Sequence, residues 1–115
     1  MTEFLQWNIR CLQANREELD MLLSHIHPSV ICLQETFLKE NKIIAFKGYS
    51  SFHSFASEIN GIPHGCSAIL VNSSVPHTQL TLHTCLQAVT IRVTCRKTIT
   101  VCSIYLHPEI YGFSH

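Results

Sequence analysis

The sequence predicts an α/β fold with a mixed sheet and one main helix. Three observations carry this expectation. Two apolar, strand-like runs flank a segment of helical periodicity within residues 3 to 34, further short apolar runs follow, and two alternating segments joined by a polar turn come last. The chain has 115 residues, 46% of them hydrophobic, which fits one domain with a packed core.

The first strand is expected in "EFLQWNI", where Phe4, Leu5, Trp7 and Ile9 supply apolar surface and Asn8 stands at the end. A helix over about 15 to 26 follows. Asn15 is a candidate N-cap with Glu18 three residues on, a capping-box spacing, and Leu19, Leu22, Leu23 and Ile26 recur at helical intervals until Pro28. Glu17 and Glu18 suit the positive end of the helix dipole. "VICLQ" then reads as a strand buried on both faces, and a strand, helix, strand unit places its two strands parallel in one sheet.

Beyond "KENK", "FKGYSSF" reads as a short strand entered through Gly48, and residues 54 to 65, with Gly61, Pro63 and Gly65, read as a loop. "CSAILV" is another buried strand and "HTQLTLHT" a weaker one. Val89, Ile91 and Val93 alternate with polar residues, "CRK" turns the chain, and Ile99, Val101, Ser103 and Tyr105 alternate again. This hairpin, at about 87 to 106, is expected in the same sheet as the earlier strands.

Composition excludes several classes. Eight Lys and Arg balance eight Asp and Glu, so no basic field is available for gripping nucleic acid by charge alone; phosphate chemistry needs a local site. The six cysteines form no CxxC pair and several lie in apolar runs, which reads as reduced thiols. The eight histidines show no zinc spacing that combines two close pairs, and His64-x-Cys66 or His83-x-Cys85 alone is a weak signal. No apolar segment reaches the length of a membrane span, and the default compartment is intracellular and reducing.

Glu35 is the residue that breaks the pattern. It follows a buried apolar run with no turn residue between, and a carboxylate there must reach solvent, pair with a cation or shift its pKa. The ordinary reading is a strand surfacing. The parallel unit, however, brings Asn8 and Glu35 out at one edge of the sheet, where α/β proteins place ligands, and Tyr105 closes a third strand. A carboxylate holds a hard cation, an amide orients a carboxylate or phosphate, and a phenol hydrogen-bonds a phosphoryl oxygen.

The blocks "LQWNIRCL", "VICLQETFL", "CSAILV" and "TVCSIYLHP" resemble, in order and spacing, the endonuclease/exonuclease/phosphatase superfamily, and within it the endonuclease domain of jockey-like non-LTR retrotransposons. The resemblance covers the chain and implies the N-terminal half of a deoxyribonuclease-I-like four-layer α/β sandwich. It implies catalytic roles for Asn8 as site organiser, Glu35 as the Mg2+ ligand and Tyr105 as a phosphate contact. The implied reaction is a magnesium-dependent nick in DNA that leaves a 3′ hydroxyl to prime reverse transcription. The implied partners are target DNA and a reverse-transcriptase domain of the parent element, whose expected compartment is the nucleus.

The departures from the pattern carry expectations too. The family's Gly-Asp-Phe-Asn and Ser-Asp-His blocks, which supply further aspartates and the histidine, do not occur in these 115 residues, so a truncated domain, inactive alone, with one apolar face uncovered is expected. Cys11 and Cys66 stand where related elements have glycine, and His107 where proline is common; a glycine position requires φ > 0 or close backbone approach. The alternatives are another phosphoesterase of the superfamily and a non-enzymatic scaffold remnant.

Overall fold

A computed structural model describes residues 3–38, 44–54, 57–59, 62–64, 66–80 and 87–105, those at 57–59, 62–64, 87–88 and 105 by backbone only. The elements are β1 (Phe4–Asn8), α1 (Arg16–Ile26), β2 (Val30–Gln34), β3 (Tyr49–Ser54), β4 (Ser57–Ile59), β5 (Ile62–His64), β6 (Ser67–Asn72), β7 (His77–Leu80), β8 (Gln87–Thr94) and β9 (Thr98–Tyr105). They form a four-stranded sheet in the order β1-β2-β6-β3, a two-stranded ribbon of β4 and β5, and a three-stranded sheet in the order β7-β8-β9.

The four-stranded sheet is mixed, as expected. β1 and β2 are parallel, with Phe4 opposite Val30 and Asn8 opposite Gln34, whereas β6 runs antiparallel to both β2 and β3. Side-chain alternation sends Leu5, Trp7, Ile31, Leu33, Ala68 and Leu70 to one face, where they pack with Leu19 and Leu23 of α1. Val30, Ile69 and Val71 point to the other face. β2 and β6 are thus buried on both sides, which explains their unbroken apolar runs.

Two expectations about the second face are corrected. The hairpin of β8 and β9 does not join the first sheet; with β7 it forms a second sheet that packs across it, Val89, Ile91 and Val93 meeting Val30, Ile69 and Val71. The apolar face expected to be uncovered is therefore covered over β2 and β6, while Phe4 of β1, on the same face, stays 41% exposed. The physical reason lies in the pattern of β8, which alternates apolar with polar residues. Such a strand has one face to bury and suits a sheet laid over a core, not insertion between strands apolar on both sides.

The loop expected over 54 to 65 contains the short antiparallel pair β4 and β5. The capping box at the start of α1 does not form either. Asn15 is the N-cap but makes no side-chain cap hydrogen bond; its Nδ2 turns back and donates to the carbonyls of Ile9 (2.7 Å), Cys11 (3.3 Å) and Arg10 (3.4 Å). The amide spends its donors on the loop leaving β1, because that loop has carbonyls with no strand partner. At its other end α1 closes on His27 in the left-handed conformation (φ 54°), whose N–H donates to the Leu23 carbonyl, before Pro28. No helix among the described residues is long and apolar enough to cross a membrane.

Candidate active site at the carboxyl edge of β1 and β2

The parallel pairing of β1 and β2 brings Asn8 and Glu35 to one edge. Asn8 lies opposite Gln34, the residue before Glu35, and is exposed. Past the strands the two chains stay linked: the N–H of Ile9 donates to the Gln34 carbonyl (3.1 Å), that of Cys11 to the Glu35 carbonyl (2.8 Å) and that of Leu12 to the Thr36 carbonyl (3.0 Å). On the other side the Glu35 N–H donates to the Cys66 carbonyl (2.9 Å). Both backbone polar groups of Glu35 are thus held by neighbouring loops, which fixes where its side chain starts.

This fixation carries strain. Glu35 has φ 55°, and Arg10 (48°), Cys11 (83°), Phe37 (54°) and Cys66 (73°) share the left-handed region with it. Each such non-glycine residue costs about 1–3 kcal/mol and persists only where the surroundings over-determine it. The two cysteines standing at expected glycine positions adopt the conformation that glycine would have supplied without strain.

The Glu35 side chain is 27% exposed, and among the described residues it forms an ion pair with Arg10, Nε to Oε2 3.8 Å, on a side chain 80% exposed. Two cysteines near this edge, Cys66 and Cys32, have thiols shifted by their surroundings. Burial pushes the Cys66 thiol up, only partly offset by hydrogen bonds from its surroundings, and burial followed by the neighbouring Cys102 pushes Cys32 up, so both stay protonated. The Cys66 thiol donates to the Leu38 carbonyl at 3.6 Å. The oxygen donors that this edge presents are the Glu35 carboxylate and the Asn8 amide, the donor type of magnesium. Among the described residues no group of three or more His, Cys, Asp or Glu side chains is placed to hold a metal. The residues present fit an anchor for a hard cation and not a closed cage.

Tyr105 ends β9 opposite Gln87; its side chain lies outside the described residues, as does His107. The strand that carries it is nevertheless tied to the site edge. Gln34 Nε2 donates to Ser103 Oγ (3.2 Å), Ser103 Oγ donates to the Leu33 carbonyl (3.5 Å), and Gln6 Nε2 donates to Gln34 Oε1 (3.2 Å). This ladder links β1, β2 and β9 one residue before Glu35 and two before Tyr105.

Sequence reasoning overlooked Arg10 and Gln34. For Gln34 the signal was its place beside Glu35 on the face that alternation assigns to Asn8 and Gln6; for Arg10 there was none, because an exposed arginine after a strand is ordinary.

Residues 5–107 match the endonuclease/exonuclease/phosphatase family. No curated protein sequence matches. Among solved structures, the chain is similar to the endonuclease domain of TRAS1, a telomere-specific non-LTR retrotransposon, with 22% identity and a TM-score of 0.66, over 96% of this chain and 50% of that one. It is similar to the AP endonuclease LMAP from Leishmania major, with 19% identity and a TM-score of 0.66 over 92% and 40% of the two chains. A 3′ phosphatase, NExo from Neisseria, bound to a product DNA hairpin, gives 18% identity and a TM-score of 0.64 over 91% and 41%. At these identities the likeness is one of fold, and the chain spans half or less of each structure. The layered α/β architecture and a sequence match over nearly the whole length agree: this chain belongs to the endonuclease/exonuclease/phosphatase family.

Proposed function

We propose that the chain is the first half of a magnesium-dependent DNA endonuclease domain of a jockey-like non-LTR retrotransposon, whose nick primes reverse transcription by a linked reverse transcriptase. The observation that carries this reading is the meeting of Asn8 and Glu35 at one strained edge, in a fold similar to the TRAS1 endonuclease domain. In this reading the Glu35 carboxylate holds the cation, the Asn8 amide orients the carboxylate or a phosphate oxygen, and the Tyr105 phenol donates a hydrogen bond to the phosphate. A magnesium ion supplies charge stabilisation on the phosphoryl group during attack by water.

The proposal also assigns what the chain does not do alone. Hydrolysis needs a group that positions or deprotonates water, and the blocks that supply it in the family are not within these 115 residues. One carboxylate and one amide hold magnesium weakly, since that ion keeps much of its hydration shell. The isolated chain is therefore expected not to relax supercoiled plasmid in magnesium. Joined to the complementary half from a related element, it is expected to nick, and Glu35→Ala in the joined protein to abolish nicking. Nicking by the isolated chain that disappears in Glu35→Ala overturns the assignment of half a site. The likeness to a 3′ phosphatase keeps one other substrate class in view: release of phosphate from a 3′-phosphorylated oligonucleotide by the joined protein, without plasmid nicking, would favour it.

A further inference from the structure

Among the described residues Arg10 is a cation beside the Glu35 carboxylate, and its setting separates a fixed root from an uncommitted tip. The root is held: its carbonyl accepts Asn15 Nδ2 (3.4 Å), and the next residue, Cys11, donates its N–H to the Glu35 carbonyl (2.8 Å). Two successive left-handed residues, Arg10 and Cys11, form the turn that places it there. The tip is different. Nε approaches Glu35 Oε2 at 3.8 Å, beyond the range of a charge-assisted hydrogen bond, and among the described residues the guanidinium donates no hydrogen bond. A rigid fork of donors thus stands 80% exposed at the edge where Asn8 and Glu35 emerge.

We propose that Arg10 is a phosphate-binding residue of this site and that, before substrate arrives, it serves as a tethered counter-cation on Glu35 that a divalent metal displaces. The inference rests on the proposed reading of Glu35 as a metal anchor. An unaccompanied carboxylate repels a DNA phosphate, and a guanidinium beside it offsets this repulsion locally in a chain whose net charge of zero gives no overall attraction. Guanidinium is suited to the task because its planar fork meets two phosphate oxygens at once. With a divalent cation bound by Glu35, the Arg10 guanidinium would be free to meet the nucleic-acid backbone.

The test uses the 115-residue chain, with Mn2+ as the metal probe, followed by water-proton relaxation, and a fluorescein-labelled DNA duplex, followed by anisotropy over a salt series. In Arg10→Gln the slope of log affinity against log salt should shrink by about 1, the loss of one phosphate contact. Arg10→Lys should keep that slope, and Mn2+ binding to Arg10→Gln should tighten about two- to fivefold, the scale of an exposed ion pair removed from competition. Circular dichroism checks the fold; if Arg10→Gln loses the wild-type spectrum, Arg10→Asn, whose side chain tolerates the left-handed region, takes its place. An unchanged salt slope, wild-type chain that does not bind the duplex, or weaker Mn2+ binding in Arg10→Gln each overturns the proposal. The metal-anchor reading fails separately: it is lost if Glu35→Gln binds Mn2+ as the wild type does, in which case the salt slope alone judges the phosphate contact.

Discussion

The two ends of the four-stranded sheet solve the same geometric problem with different residues. At the end away from the candidate site, the chain needs the left-handed conformation at Gly48 (φ 82°), where glycine adopts it freely, and at His27, where it closes α1. That end is stitched by the Tyr49 hydroxyl donating to the Pro28 carbonyl (2.7 Å), the Asn72 N–H to the Ser29 carbonyl (2.8 Å) and the Ser73 N–H to the Gly48 carbonyl (2.9 Å). At the site end, Arg10, Cys11, Glu35, Phe37 and Cys66 all take positive φ without a glycine among them. The contrast is one of concentration: five non-glycine left-handed residues, Glu35 and Arg10 among them, gather at the end that carries the candidate site, against His27 alone among the described residues at the other.

The comparison rests on a shared support, and the largest expected effect comes from removing it. β6 sends Leu70 into the core with α1 and Ile69 into the core with β8, both with no exposure. Leu70→Ala is expected to lower stability by about 3 kcal/mol in urea denaturation and to weaken both ends together. Amide exchange that speeds at one end only would show that the ends do not share this support.

Substitutions at a single end should act there alone. Tyr49→Phe removes the hydrogen bond to Pro28 and should cost about 1 kcal/mol. Amide exchange should quicken around residues 28–30 and 72–74 while the Glu35 and Thr36 amides keep their protection. Burial holds the Tyr49 phenol above its ordinary range, only partly offset by Asn72, so across neutral pH this group remains a donor.

Gly48 and Cys11 form a mirrored pair, each with positive φ. An added Cβ at Gly48 meets nothing within 4 Å, so Gly48→Ala should cost about 1 kcal/mol through backbone strain alone. Cys11→Gly should stabilise by about 0.5–1 kcal/mol, relief of strain partly offset by the greater freedom of glycine in the unfolded chain. A thermal shift of the same sign in both variants would remove the asymmetry between the ends.

The smallest effect expected is on pH. His53 sits in β3 opposite Ala68, toward the site end, and burial lowers its pKa from the ordinary value near 6.5. The unfolded chain therefore takes up the proton first as pH falls, so this residue makes the fold less stable below about pH 6.5 than above it. Melting at pH 7.5 and about pH 5.5 should show that drop in the wild type and a smaller one in His53→Gln.

Local pattern was enough for most elements. The helical spacing of Leu19, Leu22 and Leu23 marked α1, the apolar runs marked β2 and β6, and the alternation about Cys95–Lys97 marked β8 and β9, because periodicity is a property of neighbouring residues. The same reasoning located the carboxyl edge of β1 and β2, since a strand, helix, strand unit leaves little choice of direction. The family resemblance, not periodicity, marked Cys11 and Cys66 as glycine positions, and both take positive φ.

What the sequence could not state is which faces meet. Alternation says that Val89, Ile91 and Val93 bury one side, but whether they extend the first sheet or lie across it depends on Val30, Ile69 and Val71, nearly twenty or more residues away. Asn15 could cap α1 or hold the loop after β1, and the carbonyls of Ile9, Arg10 and Cys11, which lie beyond the strand ladder, decided for the loop. Arg10 became part of the site only when its turn was pinned to Glu35. Element identity follows from short-range periodicity and is written in the chain; the pairing of faces, the allocation of hydrogen bonds and the company of a charge are settled by groups distant in sequence, and only the packed structure brings those together.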